Sequence, residues 1–306
     1  MTDARPPITR AGSIYDLGYR RYEGPRLGRA HAIRSLIGHS FRSTYGIGRG
    51  GRAKIAPFVF GAMAVLPAVV VVGVLTLVAR LEVGRAIERA PQIINFTNYF
   101  SSVNAIIALF CAAQAPELFG RDQRHGVLPL YFARALRRSD YALGRLAGFW
   151  LGLMALLLTP MLILFVGRVL LSTDIGASFA DNLPNIPPVL AQAAVVSALY
   201  GGLAMTVSAY APRRAYATAG IIAVFVLPGL VTGIMIGTGS SGIGTLMTLI
   251  APNTVIDGTN ALFFRHELGG EYFFIDVPLI LFLASAVVEA AILVALVVRR
   301  FARLTA

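Results

Sequence analysis

Lysine is almost missing from this 306-residue sequence: Lys54 stands alone, and every other basic residue except the four histidines is an arginine. A nucleotide-binding P-loop reads Gly-x-x-x-x-Gly-Lys-Ser/Thr, with the lysine reaching the terminal phosphates. Lys54 lies between Ala53 and Ile55, so no Walker-type ATPase is expected in this chain, and no catalytic residue is assigned. Cysteine is as scarce. Cys111 is the only one and sits in an apolar run, which excludes an intrachain disulfide. The histidines, His31, His39, His125 and His266, all fall outside the apolar runs. No run therefore holds the His/carboxylate cluster of a membrane metalloprotease, and neither a metal nor a cofactor site is expected. Charge itself is thin, at 14% of residues against about a quarter in soluble domains.

What is present is apolar sequence in long runs. Hydrophobic residues make up 56% of the chain, and crossing a bilayer takes roughly 20 residues of helix. Six spans are expected: Pro57–Ala79, Tyr99–Phe119, Leu146–Leu171, Val189–Ala211, Tyr216–Gly237 and Val277–Val298. Continuous runs of this length mean helices, because barrel strands are about half as long and alternate. The expected fold is all-α and polytopic, with kinks at Pro67, Pro160 and Pro228. The first run starts near Ile55, too late and too long for the core of a cleavable signal peptide.

The net charge of +12 is read as topology, not as a nucleic-acid surface, because the arginines flank the spans. The segment before the first span, Gly120–Arg145, Pro212–Ala215 and the C-terminal tail together hold 22 Lys/Arg residues. The alternate segments hold five, counting Arg168 near the outer end of the third span, where it can snorkel. The positive-inside rule puts both termini in the cytoplasm of a bacterial-type inner membrane. Residues 1–54 divide into an irregular tail, Met1–Arg26, and a helix over Arg29–Tyr45 whose Ile33, Leu36, Ile37, Phe41 and Tyr45 share a face. That pattern predicts an amphipathic helix on the membrane surface, or one packed on cytoplasmic loops. Residues 55–298 form the transmembrane domain, and 299–306 a cytoplasmic tail. The outer segment Thr238–Asp276 is apolar in its middle but broken at Pro252 and Asn253, which predicts two short helices dipping into the outer leaflet or a compact external cap.

Three further features bear on function. Glu289 is the only carboxylate deep in a span, either a functional ionisable group or a protonated or paired structural one. Gly144, Gly148 and Gly152, and again Gly229, Gly233 and Gly237, recur every four residues and suit close helix packing, within the chain or between subunits. The loop Gly120–Arg145 mixes charge with Val127, Leu128, Leu130, Tyr131 and Phe132, as a short docking helix does.

With its flanks this loop reads Pro116, Glu117, Asp122, Gly126, Leu128, Leu130, Tyr131, Arg134, Arg138, Asp140, Tyr141 and Arg145. It resembles the loop after the second span in type-2, exporter-class ABC transporter permeases. Two departures are visible: Ala133 stands for the usual Ser and Ala135 for the usual Pro. The six-span layout, the N-terminal helix and the broken outer segment with Ala251-Pro252 also resemble that family. The resemblance implies a permease subunit that pairs with a second permease chain, identical or different. A separate cytoplasmic ATPase would carry ATP and magnesium, and membrane lipid would surround the spans. The coupling loop 120–145 would dock on the ATPase. Asp122, Arg134, Arg138 and Asp140 would orient it, and Leu128, Leu130 and Tyr131 would supply buried area. Glu117, at the end of the second span, has Arg121 four residues on as an expected partner. The cargo is a drug, lipid, peptide or polysaccharide. The other readings are a non-transporting membrane scaffold or assembly subunit, and a secondary transporter using Glu289.

Overall fold

The computed structural model describes Gly24 and residues 27–80, 96–133, 136–172, 174–211, 213–238, 241–266 and 277–303. The tail Met1–Arg26 (Gly24 apart), Arg85, Arg89, Arg134 and Ala135 lie outside the described residues. Every element is helical, and no strand occurs among the described residues. In chain order they are α1 (Arg29–Thr44), α2 (Arg52–Arg80), α3 (Tyr99–Ser102), α4 (Asn104–Arg124), α5 (Leu128–Phe132), α6 (Arg138–Leu171) and α7 (Ile175–Asn182). A 3-10 turn (Leu183–Asn185) leads into α8 (Ile186–Tyr210), followed by α9 (Arg214–Gly237), α10 (Ser241–Thr248), α11 (Pro252–Phe264) and α12 (Leu279–Ala302).

Among the described residues five stretches are long and apolar enough to cross a membrane: Arg52–Leu77, Arg138–Leu171, Ile175–Tyr210, Arg214–Gly237 and Leu279–Ala302. They match five of the expected spans. The stretch expected as the second span, Tyr99–Phe119, differs. Its helix is interrupted at Val103, so Tyr99–Ser102 is a separate turn, and it continues past Phe119 to Arg124. The 21 residues of α4 include Asn104, Gln114, Glu117, Arg121, Asp122 and Arg124, which lower its mean hydropathy. Pro67, Pro160 and Pro228 all sit inside uninterrupted helices.

The long helix α8 is the hub, packed against α4, α6, α9, α11 and α12. Its inward face is aromatic and small by turns: Tyr200, Ala204 and Met205 are fully buried. Beside Gly202 an added Cβ would meet Leu293 of α12 at 3.1 Å. Helices α2 and α9 lie at the periphery and carry rows of exposed apolar side chains, Phe58, Leu66 and Val70 on one, Val226, Leu230 and Ile234 on the other.

The first glycine series has a definite use inside the chain. A Cβ on Gly144 would meet Leu36, one on Gly148 would meet Ser40 and the Ile37 carbonyl oxygen at 2.7 Å, and one on Gly152 would meet Thr44 at 2.9 Å. These glycines form the groove of α6 in which α1 lies. The buried face of α1 is Leu36, Ser40, Ser43 and Thr44. Of the face expected to meet the membrane, Leu36 and Tyr45 instead turn inward, Tyr45 donating to the Gly152 carbonyl at 2.7 Å, while Ile33, Ile37 and Phe41 stay partly exposed. Small polar residues can line this contact because Ser40 donates to the Leu36 carbonyl (2.7 Å) and Thr44 to the Ser40 carbonyl (3.0 Å), leaving neither hydroxyl unpaired. The second glycine series is different: a Cβ at Gly229 would meet only the Asn253 amide, at 3.1 Å, and one at Gly237 would meet nothing.

Candidate functional site

The loop after α4 begins with a reversal that only glycine makes easily. Gly126 has φ +62°, the left-handed conformation that ends helices without a Cβ penalty. Pro129 then sits in the first turn of α5, a five-residue helix with no buried residue. Residues expected in the loop fall on regular helix instead: Asp122 belongs to the last turn of α4, and Arg138, Asp140, Tyr141 and Arg145 to the first turns of α6.

Asp122, Tyr131 and Tyr141 converge on Arg145, which is 2% exposed. Its guanidinium pairs with Asp122 and donates to the Tyr131 hydroxyl at 3.1 Å. Tyr141 donates to the same Asp122 carboxylate at 2.7 Å. The rings of Tyr131 and Tyr141 lie 5.2 Å apart, and Phe301 of α12 stacks on Tyr141 (5.2 Å) and on Phe119 of α4 (4.7 Å). Burial pushes the Tyr131 hydroxyl up from its ordinary value, while Arg145 opposes that. A guanidinium out of water is tolerated because a carboxylate and aromatic faces surround it.

A second knot lies beside it. The Asp140 carboxylate accepts hydrogen bonds from Nε and Nη2 of Arg29 (2.7 and 2.6 Å) and from the Arg137 backbone N–H (3.0 Å). It thereby caps α6 and ties the start of α1 to it. Arg138 donates to the Ala302 carbonyl at 3.2 Å. Glu117 does not pair with Arg121. It takes Arg214 of α9 at 2.8 Å and Arg49, between α1 and α2, at 3.3 Å. Two cations brought from elsewhere in the chain occupy both carboxylate oxygens, and Arg121 is left exposed.

The three apolar residues expected to dock are therefore unlike one another. Leu128 and Tyr131 pack on the core, whereas Leu130 is 69% exposed. It lines a groove of about 760 Å³ between α1 and α5.

Away from the Arg145 knot, α4, α8, α9 and α11 meet at a polar junction that the sequence reading missed. Tyr200 of α8 donates to Asn253 of α11 at 2.6 Å and also contacts Asn104 of α4. Asn253 in turn reaches the Phe225 carbonyl of α9 at 3.4 Å. Its only sequence signal was an asparagine inside an apolar run. The outer segment does form two short helices, and the break falls at Leu249–Ala251, with Pro252 opening the second. Glu289 is half-buried on α12, 3.3 Å from the Ser285 hydroxyl. Arg168 lies over the Phe96 ring at 4.9 Å. Among the described residues no group of three or more His, Cys, Asp or Glu side chains is placed to hold a metal.

No family model matches the chain, and no curated protein matches it.

Proposed function

We propose that this chain is the permease subunit of an ABC exporter, crossing the membrane six times with α4 as the second crossing. Its 21 residues rise about 30 Å, the thickness of a bilayer's hydrocarbon core. Helix α4 packs against α2, α8 and α9, which bury Gln114, and its exposed Arg121 and Arg124 fall in its last turn. Helix α1 lies at the cytoplasmic membrane boundary, held in the α6 groove with its Ile33–Ile37–Phe41 stripe toward lipid. Helices α10 and α11 return into the outer leaflet, and the exposed rows on α2 and α9 meet lipid or a second permease chain.

The observation that carries the reading is the mounting of α5. It is short and projects Leu130, and it is braced through Tyr131, Arg145, Asp122 and Tyr141 onto α4 and α6. Phe301 links the same cluster to α12. A push on α5 therefore reaches three long helices through a rigid knot. That is what a separate ATPase needs in order to pass the closure of its ATP- and magnesium-bearing pair to the spans. Fewer intramembrane carboxylates than a proton-driven carrier usually shows speak against the Glu289 transporter, and a scaffold has no need of a braced lever.

The test is pull-down of the ATPase from detergent extracts. Leu130→Asp leaves the Arg145 knot untouched. It should release the ATPase at unchanged expression, because truncated hot-spot residues cost about 2 kcal/mol or more. Full retention of the ATPase would overturn the docking role. Absence of any ATPase from extracts of the native chain would favour the scaffold.

A further inference from the structure

Beside the Arg145 knot lies a cavity of about 950 Å³ that the coupling role leaves unused. Its walls come from α1, the Ile47–Gly50 turn, the end of α4, the turn at His125 and the start of α6. Four arginines line it, Arg42, Arg49, Arg121 and Arg145, together with His39 and His125. Two carboxylates also line it, Glu117 and Asp122, and both are taken. Asp122 is bound by Arg145 and Tyr141, and Glu117 by Arg49 and by Arg214, which is not a wall residue. Arg42 and Arg121 have no ion-pair partner among the described residues. Among the described residues the cavity thus carries an uncompensated positive charge of at least two.

Arg145 adds to that field: among the described residues its guanidinium reaches Asp122, Tyr131 and Ser40, and its Nε–H is buried without a partner, so a further negative charge nearby would favour it. Gly48 and Gly50 give part of the wall no side chain, and a Cβ at either would meet open space. Desolvation pulls Arg49 below its ordinary value; Glu117 opposes that, and Arg121 and Arg145 add to it.

We infer that this cavity is a binding site for a phosphate group, gripped by Arg42 and Arg121. Guanidinium forks match phosphate oxygens in geometry and charge, and the volume admits a group the size of a headgroup. The phosphate belongs either to an anionic phospholipid at the membrane boundary or to a small soluble phosphate. The site rests on the chain's own geometry and stands whether or not the chain couples to an ATPase.

The test uses the purified full chain in detergent, with no ATPase present, and follows thermal unfolding through Trp150 fluorescence. Inorganic phosphate is titrated at constant ionic strength, and separately dioctanoyl phosphatidylglycerol, with dioctanoylglycerol as the phosphate-free control. A saturable rise in Tm with either phosphate probe, absent with the control, is expected because a ligand of the folded state stabilises it. Response to the lipid alone identifies the headgroup as the source, and response to inorganic phosphate identifies the soluble group. Arg42→Gln with Arg121→Gln removes two exposed, unpaired cations. It should leave the unliganded Tm unchanged while weakening apparent affinity about tenfold or more. If that pair fails to fold, Arg121→Gln alone carries the comparison. An Arg34→Gln control, off the cavity, should bind normally. No stabilisation by either probe, or equal binding by the double variant, would overturn the site.

Discussion

Removing Asp122 leaves a guanidinium that is 2% exposed without its counter-ion. Breaking one side of such a pair costs about 3–5 kcal/mol, more than the pair contributes over an apolar replacement. Asp122→Ala should therefore lower thermal stability sharply, and Asp122→Ala with Arg145→Met should recover much of the loss. A double-mutant cycle on Tm measures this, and strictly additive losses would mean that the two do not act as a pair. His39 faces the same cluster. Desolvation first, then Arg145, lowers its pKa below the ordinary 6.5, with Arg49 and Arg121 adding and Asp122 opposing. The folded chain thus binds fewer protons there than the unfolded chain as pH falls through 6.5. Stability is full above that value and declines below it, toward the lower folded pKa. His39→Gln should flatten this acid limb when Tm is followed from about pH 7.5 down to about pH 5. An unchanged slope would place the sensitive group elsewhere.

The contact between α1 and α6 is an element-scale feature with a sharp steric test. Gly148→Ala would push a methyl into Ser40 and the α1 backbone, and overpacking of this kind costs about 1–3 kcal/mol. Gly237→Ala meets open space and should change stability by less than about 0.5 kcal/mol. Comparing the two by Tm and by protease access to α1 separates a packing groove from a merely glycine-rich helix. The two glycine series look alike in sequence, because spacing says that a helix could be approached closely and not what approaches it. The long helices were legible from the sequence for a plain reason: runs of bilayer length declare themselves without partners. The existence of α1 was legible too, from its periodicity. Its buried face was legible only at Leu36, because beyond that residue the glycine groove takes the small Ser40 and Thr44 rather than the larger apolar residues beside them. At the candidate site the residue types were legible and their roles were not. Tyr131 and Leu130 are neighbours with the same apolar signal, yet one is held by Arg145 and the other is exposed. The Asn104–Tyr200–Asn253 junction joins positions about a hundred and fifty residues apart in the chain, and no local pattern announces that.

At the scale of the whole molecule, the arginine-rich segments gather at one end of the bundle. Arg49 and Arg214 meet on Glu117, Arg138 reaches the carbonyl of Ala302, and Arg300 stacks on Tyr210 at 5.6 Å. The opposite end is tied differently, by Ser101 to Asp257 at 2.9 Å and Asn260 to the Thr97 carbonyl at 2.6 Å. Alternation of the chain between these ends, with 22 basic residues assigned to one side and five to the other, is the arrangement the positive-inside rule orients. The end bearing α1 and α5 should therefore face the cytoplasm, and the end bearing α7 the exterior. Cys111 is fully buried, so the native chain should give little background with an impermeant thiol reagent. In intact cells Ser35→Cys, on the exposed side of α1, should resist that reagent and react only after permeabilisation. Asp181→Cys, exposed in α7, should react at once. Labelling of Ser35→Cys in intact cells with protection of Asp181→Cys would invert the orientation. Immediate labelling of both would mean that the two ends are not separated by a membrane at all.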